Sequence, residues 1–198
     1  MARFTKAVKD EAIRGAQRYA VPVSTLLGIW KVESGFDPLA LGDLNADNAA
    51  YSYGIGQLHV KGAGHGFHPR KLLNLVFNAN LSARYFGGCV KAFPGKPRLA
   101  ISAYNQGVSG TKEKGESVNK GYIDAVIAAA KEFGELDAIK PSKAEARRYT
   151  VKGNDSLWKI AQRFYDDGRE WERIYAANVT IIGPDPDLIH PGQELIIP

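Results

Sequence analysis

The sequence predicts a mainly helical domain followed by a small α+β module with the order strand, helix, helix, strand. Three observations carry this reading. Apolar residues recur at helical spacing in five stretches between Phe4 and Phe133. Short alternating runs bracket two further helical patterns at the C-terminal end. A segment with Pro141, Ser142 and mixed charge separates the two regions. The expected boundaries are 1–138 for the first domain, 139–147 for a linker and 148–198 for the module. A chain of 198 residues accommodates one medium domain plus a small one.

Taken in order, Phe4 to Tyr19 reads as an amphipathic helix, with Phe4, Val8 and Ala12 recurring at i+4 beside Ile13, Ala16 and Tyr19. Pro22 breaks the pattern, and Ser24 or Thr25 is placed to cap the next helix. In that helix Leu26, Ile29, Trp30 and Glu33 fall at i, i+3, i+4 and i+7, on one stripe. Gly35, with Pro38 beyond it, signals the stop. A carboxylate in the last turn of such a stripe loses water and meets the negative end of the helix dipole. Both effects raise its pKa toward the range of a general acid. From spacing alone, a Glu33 rotated into solvent at a frayed end is the commoner outcome; the rest of the chain decides.

Asp37 to Tyr53 is a long polar loop with room for short strands, leading into Ser52-Tyr53-Gly54-Ile55-Gly56-Gln57. Lys61 to His68 is glycine-rich but lacks the strand-to-helix setting and the Lys-Ser/Thr of a phosphate loop. His65 and His68 form an HxxH pair without companion ligands, too little for a zinc site. Pro69 to Phe86 is helical in pattern and Gly87-Gly88 is expected to end it. Leu99 to Asn105 starts another helix closed by Gln106-Gly107, a charged loop spans Thr111 to Lys120, and Tyr122 to Phe133 forms a last helix stopped by Gly134. In the module, Arg148 to Val151 and Glu194 to Pro198 read as strands, and Ser156 to Tyr165 and Glu170 to Asn178 as helices. A module of this size is too small for a deep pocket.

With 44% hydrophobic and 24% charged residues the composition is that of a globular protein. The single Cys89, next to Gly87-Gly88 and Val90, excludes an internal disulfide framework and reads as a small core residue. No run approaches the roughly 20 apolar residues of a membrane span. The N-terminus shows no apolar signal region, so the expectation is synthesis in the cytoplasm without a signal peptide. The net charge of +5 resides entirely in residues 1–138, while 139–198 are balanced. A basic first domain suits an anionic polymer or surface. The absence of Lys/Arg runs and RNA-type aromatic motifs argues against nucleic acid.

Five motifs in order carry a resemblance: Glu33-Ser34-Gly35-Phe36; Ser52-Tyr53-Gly54-Ile55-Gly56-Gln57; Asn78 with Tyr85; Ala103-Tyr104-Asn105-Gln106-Gly107; and Tyr122-Ile123 with Val126. Together they resemble the soluble lytic transglycosylases, whose lysozyme-like, mostly helical domain cleaves the glycan strands of bacterial peptidoglycan. The resemblance covers roughly the first 135 residues. It departs at Gly56, where the family usually carries Met before the glutamine, so that a substrate-facing side chain is expected to be missing; the loop before Ser52 is also longer. The tail, from Tyr149-Thr150-Val151-Lys152-Gly153 through Leu188-Ile189 to Pro191-Gly192-Gln193, is similar to a LysM module, which binds N-acetylglucosamine-containing glycans. Asn154 stands there as an insertion, and the Val179–Pro186 loop is long.

The resemblance implies Glu33 as general acid and base on the β-1,4 bond between N-acetylmuramic acid and N-acetylglucosamine, with no cofactor and no metal. Ser52, Gln57, Tyr104, Asn105 and Tyr122 would bind substrate; the lesser reading of Tyr104 and Tyr122 is as buried tyrosines tied to backbone, and the two readings are compatible. Ser34 and Ser52 read as residues that fix Glu33 and its loop. Asp43 and Asp47 are candidates for the second carboxylate of a hydrolase, as in goose-type lysozymes, although such loop aspartates are more often turn formers. In the module, Gly153, Asp155, Ser156, Leu157, Leu188 and Ile189 would hold glycan, whereas Trp158, Ile160, Ala161, Trp171 and Ile174 read as core. The expected protein is a monomeric peptidoglycan-cleaving enzyme, a bacteriophage lysin released by host lysis or carried in the virion. A non-catalytic wall-binding or virion protein is the alternative of another class.

Overall fold

A computed structural model describes residues 4–138 and 147–198. The chain divides into two compact units, Met1–Lys140 and Pro141–Pro198. The expected linker lies outside the described residues, except for Arg147, which is already the first residue of a strand.

The first unit contains helices α1 (Lys6–Tyr19), α2 (Val23–Ser34), α3 (Pro69–Leu72), α4 (Leu75–Ala92), α5 (Pro97–Lys114) and α6 (Lys120–Lys131). Between α2 and α3 lie three two-residue strands, β1 (Leu41–Gly42), β2 (Ser52–Tyr53) and β3 (Leu58–His59), in a small antiparallel sheet. The long loop from Asp37 to Tyr53 thus holds β1 and β2, and β3 follows it.

Helix α2 is the centre of the unit. Leu26, Leu27, Ile29 and Trp30 are all fully buried, so it is apolar on every side and not along a single stripe. Each such side chain contributes about 1.5–3 kcal/mol of burial. Gly28 lets α6 cross closely: a Cβ there would meet the Val126 carbonyl oxygen at 2.6 Å. Trp30 donates its indole N–H to Ser82 Oγ on α4 at 2.9 Å, which satisfies the one polar atom it takes into the core.

Both ends of α2 are closed from elsewhere in the chain or by the backbone. Neither Ser24 nor Thr25 caps it; Pro22 holds the cap position without a side-chain bond. Asp137, in a 3-10 turn at Gly134–Ala138, accepts instead from the Ser24 backbone N–H at 2.9 Å and from Ser24 Oγ at 2.6 Å. A carboxylate at this position satisfies free N–H groups and the positive end of the dipole. At the other end Gly35 takes the left-handed conformation and returns its N–H to the Lys31 carbonyl at 3.0 Å.

Several expected boundaries move. Helix α1 begins at Lys6 with Thr5 as its cap, and Phe4 packs instead with Phe36 and Phe133. The Pro69–Phe86 pattern is broken at Leu73, because Asn74 caps a new helix by accepting from the Phe77 N–H. Gly87-Gly88 does not stop α4, which runs to Ala92 and buries Cys89. Helix α5 likewise continues past Gly107, which kinks it with φ 81° and ψ 156°. The expected Thr111–Lys120 loop therefore starts only after Lys114 and includes a 3-10 turn at Ser117–Asn119.

The second unit has β4 (Arg147–Thr150), α7 (Leu157–Tyr165), α8 (Trp171–Ile182) and β5 (Glu194–Ile197). Strands β4 and β5 pair antiparallel, Arg147 opposite Ile197 and Thr150 opposite Glu194. Ile160, Ala161, Ile174, Tyr175 and Leu195 form its buried centre. Fully buried Asn178 stitches α8 to β5: it donates to the Ile196 carbonyl at 2.7 Å and accepts from the Ile196 N–H at 2.8 Å. Because α8 continues to Ile182, the expected Val179–Pro186 loop begins only at Gly183. Among the described residues, no helix is long and apolar enough to cross a membrane.

Two substitutions test the setting of α2. Gly28→Ala should cost about 1–3 kcal/mol by overpacking against α6, and Asp137→Ala about 0.5–2 kcal/mol by opening the helix end. Denaturant unfolding followed by circular dichroism measures both.

Candidate active site

Helix α2 delivers Glu33 at its last turn into a cleft of about 510 Å³. Asp43, Ser52, Gln57, Tyr85, Tyr104 and Asn105 line the same cleft. Tyr122, in the first turn of α6, donates its hydroxyl to Glu33 Oε1 at 2.6 Å. Burial pushes the Glu33 carboxyl up to about 7; the Tyr122 bond opposes this and the charge of Asp43 adds to it. Desolvation wins, so near neutrality Glu33 is divided between an acid that can give a proton and a base that can take one. Burial and the adjacent Glu33 raise Tyr122 far above the usual phenol range, leaving it a donor at every working pH.

The loop facing Glu33 is fixed by Asn78 on α4. Its side-chain N–H groups go to the Tyr53 carbonyl at 2.8 Å and the Leu72 carbonyl at 2.7 Å, and its oxygen accepts from the Gly56 N–H at 2.9 Å. Ser34 Oγ donates to the Ile55 carbonyl at 2.8 Å, tying the helix end that bears Glu33 to this loop. The position of Gly56 corrects the expectation of a missing substrate-facing side chain. A Cβ there would point inward, 2.5 Å from Ser82 Cβ and 2.7 Å from Tyr104 Oη. The Tyr104 hydroxyl instead donates to the Gly56 carbonyl at 2.7 Å. Buried Tyr104 is thus both a backbone-tied tyrosine and a wall of the cleft, and burial raises its hydroxyl well above the ordinary value.

Gln57 holds a positive φ of 45° and donates to the Gly54 carbonyl at 2.9 Å and the Ala40 carbonyl at 3.2 Å. It braces the loop as well as lining the cleft. Asn105, exposed at the other side, accepts from Asn119 Nδ2 at 3.1 Å. Gly42, Ser52 and His59 are directly paired across the three strands, so one row of the sheet forms a wall. Ser52 Oγ donates to Asp43 Oδ2. The two candidate aspartates separate: Asp43 is on the wall, whereas Asp47 is exposed in the 45–49 turn organised by Asn45 and is not among the lining residues.

The cleft also contains Tyr85, Leu58, His59, Gly62 and Ala63, to which sequence reasoning gave no role. Tyr85 stood in a quoted motif; His59 had a signal only in its register with Ser52, which no pattern of spacing reveals. Of the HxxH pair, His68 caps α3, its Nδ1 accepting from the Arg70 N–H.

In the second unit, Ser156, Leu157, Trp158, Trp171, Pro186 and Asp187 surround a shallow hollow of about 330 Å³. Ser156 and Leu157 belong to the expected glycan-binding set. Asp155 is occupied within its own turn, accepting from Tyr149 Oη at 2.6 Å and the Lys152 N–H at 2.9 Å. Gly153 and Leu188 are exposed and Ile189 is half-buried. Trp158 is a correction: it is 52% exposed at the rim and not core, because its ring lies on the surface over Gly168. Trp171 is half-buried.

A mostly helical domain with a carboxyl at a helix end, facing amide and hydroxyl groups across a sugar-sized cleft, has a lysozyme-like architecture. Residues 10–127 match the transglycosylase SLT domain family, and the chain belongs to that family. Domains of this family cleave peptidoglycan glycan strands. Residues 149–198 match the LysM domain. The chain is 28% identical over 109 residues to the uncharacterized protein YqbP of Bacillus subtilis (strain 168), a stretch covering 50% of each. It is 38% identical over 94 residues to an uncharacterized protein of Deinococcus radiodurans, covering 47% of this chain and 31% of the relative. The chain thus spans half or less of the length of these curated relatives.

The neighbours of Glu33 make its titration predictable. Its carboxyl carbon, followed by NMR, should titrate near 7. Tyr122→Phe removes the bond that favours the ionised form and should move the midpoint up; Asp43→Asn removes a negative neighbour and should move it down. Since the folded pKa lies above the ordinary glutamate value of 4.5, the folded form holds the proton more tightly. Stability should therefore fall as pH rises from about 4.5 to about 7, and Glu33→Gln should flatten that slope.

Proposed function

We propose that this chain is a peptidoglycan-cleaving enzyme in which the first unit acts as a lytic transglycosylase through Glu33 and the second holds the same polymer. The observation that carries the reading is the Glu33 carboxyl, desolvated in a cleft and bound by one tyrosine hydroxyl. Protonated Glu33 gives its proton to the glycosidic oxygen, and the bond from muramyl C1 to that oxygen breaks, releasing the 4-hydroxyl of N-acetylglucosamine. The oxocarbenium-like centre is held by the substrate's own 2-acetamido group. Ionised Glu33 then takes the proton of the C6 hydroxyl as its oxygen closes on C1 to give the 1,6-anhydro sugar. Proton and charge return to the starting state, and no water is consumed. Tyr122 keeps the carboxyl oriented through both transfers.

Ser52, Gln57, Tyr104 and Asn105 form the sugar-binding wall in this reading, and Ser156, Leu157 and the neighbouring loop residues Gly153, Asp155, Leu188 and Ile189 form the glycan-holding face of the LysM module. A weak second site raises the effective concentration of the enzyme on an insoluble polymer. The chain acts as a monomer on the bacterial wall. The pairing of a cutting and a holding module supports a bacteriophage lysin, free or virion-borne.

Hydrolysis is the second reading, favoured by one observation: Asp43 lines the cleft that contains Glu33. In that case Asp43 would activate water against the same bond.

Mass spectrometry of products released from purified walls separates the two. Anhydro-muramyl ends, one water lighter than hydrolysed ends, are expected; reducing ends alone would replace transglycosylation by hydrolysis. Glu33→Gln should lower the rate at least about 10³-fold, with wall binding retained. Clearing at the parent rate by Glu33→Gln would remove Glu33 from the reaction.

A further inference from the structure

Beyond the carboxyl and its sugar-facing partners, the sheet end of the cleft has a cationic corner with no role in the chemistry above. His59 on β3 lines the cleft. Its ring stacks on Tyr51, with centroids 5.7 Å apart and planes 15° from parallel. Lys61 Nζ lies 5.0 Å from the centroid of the same tyrosine ring. The Lys61 backbone N–H is donated to His59 Nδ1 at 3.0 Å. With Nδ1 so occupied, neutral His59 carries its proton on Nε2, as a donor.

Among the described residues, no carboxylate lies within ion-pair distance of Lys61, and no acceptor is bonded to His59 Nε2. Both are mounted on a rigid base, since Tyr51 is fixed by its N–H to the Gly42 carbonyl at 3.1 Å and by its carbonyl to the Val60 N–H at 2.8 Å. A cation and a ring N–H donor against one aromatic ring, His59 being the member that lines the sugar-sized cleft, suit an anionic oxygen pair better than a sugar hydroxyl.

We propose that Tyr51, His59 and Lys61 form a subsite for a carboxylate borne on the lactyl arm of the muramyl sugar, either the lactyl acid itself or an acid group of the attached peptide. The inference rests on the glycan-cleaving reading of the cleft. It adds a specificity determinant: the corner distinguishes muramyl-containing strands from chitin, which has no such arm.

The test uses the full chain carrying Glu33→Gln, so that ligand is not consumed, and follows the His59 ring protons by NMR. That signal is local to the corner and is assigned by its loss in His59→Ala. Three probes are titrated: a peptide-bearing N-acetylglucosamine–N-acetylmuramic acid tetrasaccharide, the same sugar with a free lactyl acid, and chitotetraose. Both muramyl probes, or the peptide-bearing one alone, should shift the His59 signal, and adding Lys61→Met should weaken that binding about tenfold. Chitotetraose affinity should not change. A response to the free-acid probe assigns the lactyl acid as the source, and a response to the peptide-bearing probe alone assigns the peptide. Equal affinity with and without Lys61, an equal loss for chitotetraose, or no His59 shift by any probe would overturn the proposal. The parent chain's cleavage products are read separately. A chain that cleaves walls while Lys61→Met binds as the parent does loses only this inference; one that binds through Lys61 but cleaves nothing loses the enzymatic reading.

Discussion

The contact on which the site depends is the 2.6 Å bond from Tyr122 to Glu33, made where the carboxyl has lost most of its water. Burial alone would drive the group toward a permanent neutral acid; the tyrosine offsets part of that cost and leaves the proton exchangeable near neutrality. The bond requires α6 to lie close against α2, and Gly28 permits this by presenting no side chain to Val126. One helix crossing therefore serves packing and chemistry together. A change that widens it moves the acid away from its partner even when no residue of the cleft is altered.

A second constraint acts on the opposite wall. The Tyr53–Gln57 loop carries few apolar side chains, so its shape comes from hydrogen bonds to buried groups. Asn78 makes two, Ser34 one and Tyr104 one. Asn78 and Tyr104 reach the loop from α4 and α5, and Ser34 from the residue next to Glu33. Acid and loop are thus positioned by one interlocked set of buried polar groups, which is costly to leave half satisfied.

Much of this was legible in the sequence, for reasons that differ between elements. Glu33 stood out because four residues at helical spacing and a glycine stop are local features. The order of helices and the strand-helix-helix-strand tail followed from periodicity in the same way. What local pattern could not show was the function of residues whose partner is distant. Gly87-Gly88 looks like a stop signal, yet α4 passes through it. Ser24 looks like a cap, yet the acceptor is supplied by Asp137. Gly56 looked like a lost contact with substrate, whereas its missing Cβ makes room for Ser82 and Tyr104. His59 enters the cleft only through strand register, and Trp158 is exposed although Leu157, Ile160 and Ala161 near it in the sequence are buried. Each outcome depends on tertiary neighbours that spacing does not encode.

The bond between Asp137 and Ser24 spans 113 residues and closes the start of the helix that ends at Glu33. During synthesis, the acceptor for that helix end is made only after every helix of the first unit has been translated. A partial chain lacking the turn at 134–138 leaves the α2 N-terminus open, and one lacking α6 has no tyrosine for the carboxyl. The acid's surroundings therefore cannot be completed until the end of the unit has been translated.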